Sequence, residues 1–107
     1  MKIIYTQNFQ NQFYDLLTYI AKHSPQNALN FQAEISSKID DIVIFPYAHR
    51  QDPQMNNANI RDLIFKGYVV PFLISNDIYI LGIYKQNLWK PNLSEISDLT
   101  KWNQTKF

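Results

Sequence analysis

The chain has no cysteine, which removes disulfide staples and thiolate metal ligands and is compatible with a reducing cytoplasm, the expected location. Its two histidines, His23 and His49, lack any partner at metal-ligand spacing, and its two glycines cannot build a phosphate-cradling loop. No metal and no cofactor are therefore expected. An excess of one charge is missing too, since ten Lys and Arg stand against nine Asp and Glu for a net charge of +1. Proteins that hold nucleic acid by its backbone usually carry a marked cationic excess, because affinity comes from neutralising phosphates and releasing counterions. No apolar run approaches the roughly 20 residues that cross a bilayer. The amino-terminal KIIYT alternates like a strand, without the basic stretch and long apolar run of a secretory leader.

What is present suits one small domain. At 107 residues the chain fits a single hydrophobic core, with residues 1–90 as the expected core and 91–107 as an extension. Seven Tyr, seven Phe and two Trp can fill that core or anchor an interface.

Residues 2–6 read as a strand, followed by a helix to about Lys22, where Phe9, Phe13, Leu16, Leu17 and Ile20 form an apolar stripe and Gln10, Gln12, Asp15 and Thr18 lie off it. Ser24 and Pro25 suit the N-cap and first position of a second helix, which Pro46 stops after about Ile44. So short a turn makes the pair an antiparallel hairpin. The segment FPYAHRQDPQMNNAN reads as a surface loop.

From Asn59 the period becomes that of strands: Ile60 to Phe65, Tyr68 to Ile74 and Ile78 to Tyr84, with Asn76-Asp77 as turn chemistry. Pro71 implies an edge, a bulge or a strand end. After WKP, Leu93, Ile96, Leu99 and Trp102 recur three apart behind an Asn92/Glu95 capping pair, which predicts a short carboxy-terminal helix. The expected fold is α+β, in the order β-α-α-β-β-β plus that helix, with the helical hairpin on one face of a small antiparallel sheet.

This order resembles the toxins of type II toxin–antitoxin systems in the RelE/ParE superfamily. The resemblance is carried by LLTYIAKHSPQNALNF running into IDDIVIFPYAHR, then IRDLIFKGYVVPFLI and DIYILGIYK. The SP restart, the FP stop with an arginine nearby and the R-x-L leading into a Tyr-initiated strand look more like the ParE side. The resemblance implies a small bacterial toxin held inactive by a cognate antitoxin, and it leaves a homodimer open. ParE-like members poison DNA gyrase, whereas RelE-like members cleave messenger RNA on the ribosome; the fold is common to both, so residues must choose.

A nuclease of this kind needs a base for the 2′-hydroxyl, an acid for the leaving oxygen and cations for the phosphorane. Its candidates are Arg61, which matches the superfamily's arginine, with Lys66, Tyr84 and Lys85. Lys85 and Asn87, however, stand where the superfamily often has a histidine and a following arginine, and an asparagine holds no phosphate by charge. The departure, with the low net charge, favours gripping a protein over cutting RNA. Candidate partner-binding residues are Arg50, Arg61, Tyr68, Trp89 and Trp102. A scaffold of this fold without activity is a further alternative. Asp40 and Asp41 are successive on a helix and cannot face one another, so no paired-carboxylate site is expected.

Overall fold

The computed structural model describes residues 1–85, 95–96 and 98–99. The chain starts with β1 (Ile3–Tyr5), continues through α1 (Gln7–His23) and α2 (Pro25–Asp40), and passes two 3-10 turns, Asp41–Val43 and Pro46–Ala48. Strands β2 (Arg50–Gln51), β3 (Ile60–Phe65), β4 (Tyr68–Ile74), β5 (Ile78–Ile80) and β6 (Tyr84–Lys85) follow. Among the described residues no helix is long and apolar enough to cross a membrane.

Local chemistry explains the helix ends. Thr6 caps α1 by accepting the Phe9 N–H at 3.2 Å, and Ser24 serves both helices: its N–H donates to the Ile20 carbonyl while its hydroxyl accepts the Asn27 N–H at 3.1 Å. α2 ends at Asp40 rather than near Ile44, because the backbone tightens there into i→i+3 bonding, Ile44 N–H to Asp41 carbonyl, ahead of Pro46.

The sheet runs β1-β5-β4-β3-β2, with β6 also on β4. It is mixed rather than wholly antiparallel, since β1 lies parallel to β5, Ile3 opposite Ile78. The amino-terminal strand thus lies at the sheet edge beside β5, in the same sense. The segment read as a loop contributes β2, whose Arg50 pairs with Asp62 on β3. The β3–β4 hairpin closes through Lys66 and Gly67 at φ 48° and 82°, the handedness that matches strand twist.

One sheet face carries Leu63, Phe65, Val70, Phe72, Ile74, Ile78 and Ile80, buried against Phe9, Ile35, Ile39 and Ile42 from the helical side. The opposite face gathers Ile60, Leu73 and Leu81 with Ile96, flanked by Tyr79, Tyr84 and Leu99. Ile96 and Leu99 of the carboxy-terminal stripe therefore pack on the domain, while Leu93, Trp102 and the body of the helix expected there lie outside the described residues.

Pro71 is accommodated by a bulge. Ile80 faces Phe72 and Tyr84 faces Val69, so Leu81, Gly82 and Ile83 oppose only Val70 and Pro71. The Pro71 carbonyl accepts from Leu81 N–H at 2.9 Å, and since N and C=O of a strand residue project to one edge, the missing N–H falls where the ladder is already interrupted. Helix α1 satisfies the bulge: Asn8 Nδ2 donates to the Leu81 carbonyl and Gln12 Oε1 accepts the Ile83 N–H, both at 2.9 Å. Gln12, off the apolar stripe, is thus a half-buried clasp and not a solvated residue. A Cβ on Gly82 would come within 2.6 Å of Gln12 Oε1. Gly82→Ala is expected to displace that amide and orphan the Ile83 N–H, costing about 1–3 kcal/mol in urea unfolding, and the loss should overlap with that of Gln12→Ala instead of adding to it.

Candidate functional site

The chain between α2 and β3 folds back over the β3 edge, and Arg61 holds it there. Its Nε donates to the Ala58 carbonyl at 2.8 Å and its Nη1 to the His49 carbonyl at 3.1 Å, with Tyr47 O at 3.5 Å. The guanidinium lies 5.1 Å from the centre of the Tyr47 ring, whose hydroxyl donates to Asn59 Oδ1 at 2.6 Å. His49 sets its ring edge-on against Phe72 at 5.3 Å, and burial lowers its pKa, keeping the imidazole neutral at neutral pH.

A second cluster lies on the other sheet face. Arg50 Nε reaches Asp62 Oδ2 at 3.2 Å, with Asp62 buried and Arg50 half exposed. Asp52 Oδ1 accepts the N–H groups of Gln54 at 2.8 Å and Met55 at 3.1 Å. Burial, reinforced by the neighbouring Asp52 carboxyl, pushes the Asp62 carboxyl up to about 7 against the opposing pull of Arg50. A paired-carboxylate site was not expected from the sequence, because only the β2–β3 pairing brings these residues together. The traces it left are an Asp-Pro turn at 52–53 and an aspartate between Ile60 and Ile64 on one strand face.

The nuclease candidates are not brought to one place. Arg61 and Lys85 lie on the helix-facing side, opposite Phe72 and Tyr68 of β4, about 13 Å apart along the strand at roughly 3.3 Å per residue. Tyr84 lies on the other face, and burial followed by the charges of Asp62 and Asp52 raises its pKa, so the phenol keeps its proton. Lys66 sits in the hairpin turn, its Nζ 2.7 Å from Glu34 Oε2. Of the partner-binding candidates, Arg50 is engaged by Asp62, Arg61 by loop carbonyls, and Tyr68 meets Phe31 edge-on at 5.4 Å; Trp89 and Trp102 lie outside the described residues.

The outer side of the helical hairpin offers a different surface. Tyr5, Phe9, Phe13, Tyr14, Leu17 and Ile39 line an apolar groove that continues past Ala21, Ala28 and Leu29. Tyr14 and Leu29 are 71% and 60% exposed there, large apolar groups left in water on one stretch of surface. The helical periodicity picked out Phe9, Phe13 and Leu17 but not Tyr14 or Leu29, because these two belong to different helices and border one groove only when the hairpin closes.

The family model described as ParE toxin of type II toxin-antitoxin system, parDE, matches residues 3–87. The chain belongs to the ParE toxin family. Among solved structures, this ParE-family chain is similar to one from the chromosomal ParDE TA system from P. aeruginosa, at a TM-score of 0.65 and 18% identity, covering 79% of this chain and 95% of that one. At that identity the likeness is one of fold. No curated protein matches the chain significantly. The family carries a type II toxin–antitoxin setting, and with it an antitoxin partner.

Proposed function

We propose that this ParE-family toxin acts in the bacterial cytoplasm by binding DNA gyrase and arresting growth, and that its antitoxin silences it by filling the apolar groove along α1 and α2. The observation that carries the reading is the dispersal of the nuclease candidates: Arg61, Lys66, Tyr84 and Lys85 occupy two sheet faces and a turn, and the cations Arg61 and Lys66 are already engaged by partners inside the fold. Phosphoryl transfer needs such groups convergent on one phosphate. Protein docking needs exposed apolar area with anchors, which the groove supplies. Arg50, Arg61 and Tyr68, with Trp89 and Trp102, are the proposed contacts to the target.

Purified toxin is expected to inhibit supercoiling by gyrase. Unchanged supercoiling at saturating toxin overturns the gyrase reading, and ribosomal A-site cleavage abolished by Arg61→Ala or Lys85→Ala would put a nuclease in its place. For the groove, Tyr14→Glu combined with Leu17→Glu should leave growth arrest intact yet resist rescue by the antitoxin from the adjoining reading frame. Full rescue would move the antitoxin elsewhere.

A further inference from the structure

Asp52 and Asp62 come from different segments, one at the end of β2 and one within β3, and each is 2% exposed. Each uses one oxygen: Asp52 Oδ1 on the Gln54 and Met55 amides, Asp62 Oδ2 on Arg50. The other two, Asp52 Oδ2 and Asp62 Oδ1, are buried with no hydrogen-bond partner, and the register brings them to one face: Arg50 stands opposite Asp62, and Asp52 lies two residues on from Arg50. Buried carboxylate oxygens without donors are costly, and two adjacent ones cost more through repulsion. A single proton between them removes both penalties and balances the lone charge that remains against Arg50.

Among the described residues, Arg50 is the cation bonded to the pair, and Lys38 lines the same cleft. Arg50 approaches from β2, Tyr84 faces the pair from β6, and Lys38 and Asp41 border, with His49, the cleft that Arg50 and Asp62 line. Among the described residues no three His, Cys, Asp or Glu converge to hold a metal ion.

We propose that Asp52 and Asp62 share one proton across these two oxygens, and that the proton is a latch closing the segment 52–59 onto β3. Asp62 is fixed between β2 and β4, whereas Asp52 begins the turn that leads to Ala58, one of the carbonyls gripping Arg61. When the proton leaves, two facing carboxylates share one arginine, and their repulsion works against the ties that hold the turn, the Asp52 N–H to Ile60 carbonyl bond at 2.9 Å and the Ile60 N–H to Asn57 carbonyl bond at 3.1 Å. The latch thus links proton concentration to the order of the loop that Arg61 organises, whichever macromolecule the protein binds.

The sign follows from Asp62: an exposed aspartate ionises near 4, while in the closed state its carboxyl is raised to about 7. The closed state binds the extra proton between those values, so closure is strongest at the acid end, weakens as pH rises from about 4 to about 7, and is level above that.

Amide hydrogen exchange of the full chain tests this between pH 4.5 and 8. Corrected for intrinsic exchange, protection at Met55 should fall about tenfold per pH unit up to about 7 and then hold steady. In Asp52→Asn the new amide can donate permanently to Asp62 while its oxygen keeps the turn amides, so protection should lose its pH dependence and stay high at pH 8. A flat profile in the native chain, or an unchanged slope in Asp52→Asn, overturns the latch. As a check needing no variant, the Asp62 carboxyl carbon followed by NMR should titrate near 7; a midpoint near 4 overturns the proposal as well.

Discussion

Phe72→Ala is expected to destabilise the protein by about 3–5 kcal/mol, the range for emptying a fully buried phenylalanine site. Phe72 has no exposed surface, lies in the central strand between Arg61 of β3 and Ile80 of β5, and supports the His49 ring. Domains of this size hold only about 5–15 kcal/mol in total, so the variant should lose much of its margin in urea unfolding at 25 °C. A midpoint within experimental error of the native one would contradict the packing described here. Phe72→Leu keeps most of the volume and should lose less than half as much. Because it removes the ring that His49 abuts, the His49 titration should rise toward the ordinary imidazole value, which NMR reads directly.

Arg61→Ala is expected to cost about 2–3 kcal/mol, since it removes charge-assisted hydrogen bonds to loop carbonyls and a cation held against Tyr47. The informative companion is Arg61→Lys. A lysine keeps the charge but cannot reach Ala58 and His49 together in a fork, so its stability should lie nearer to Arg61→Ala than to the native chain. Hydrogen exchange in residues 47–59 should rise in both variants. Native stability in Arg61→Ala would remove the structural role and leave the guanidinium wholly for a target. The stability measurement must therefore precede any reading of Arg61 variants in gyrase or growth assays, because a loosened loop lowers activity without any contact being lost.

Much of the architecture was readable because it rests on local rules. Ser24-Pro25 marks a helix boundary through hydrogen bonding within a few residues, and the change from helical to strand period near Asn59 follows from which side chains meet a core. Pro71 carried its own warning of an interrupted ladder, and the bulge beside it is that interruption. Harder to read was anything that depends on two distant segments meeting. Parallel pairing of β1 with β5 joins residues far apart in sequence, and Gln12, marked in the sequence only as lying off the apolar stripe, finds its partner in a bulge 71 residues on.

The site divides along the same line. Arg61 stood out in the sequence, yet its partners are backbone carbonyls of a loop, and no side-chain pattern announces those. By itself the sequence determined the helical hairpin, the strands that follow it and a near-neutral charge ill-suited to holding nucleic acid, since each depends on local propensity, periodicity or composition. Only the tertiary structure decided that Asp52 and Asp62 bury their carboxyls together, that the nuclease candidates scatter over two sheet faces and a turn, and that Tyr14 and Leu29 border one groove. Those are relations across the sheet and between helices, where distance and dielectric, rather than residue type, set the chemistry.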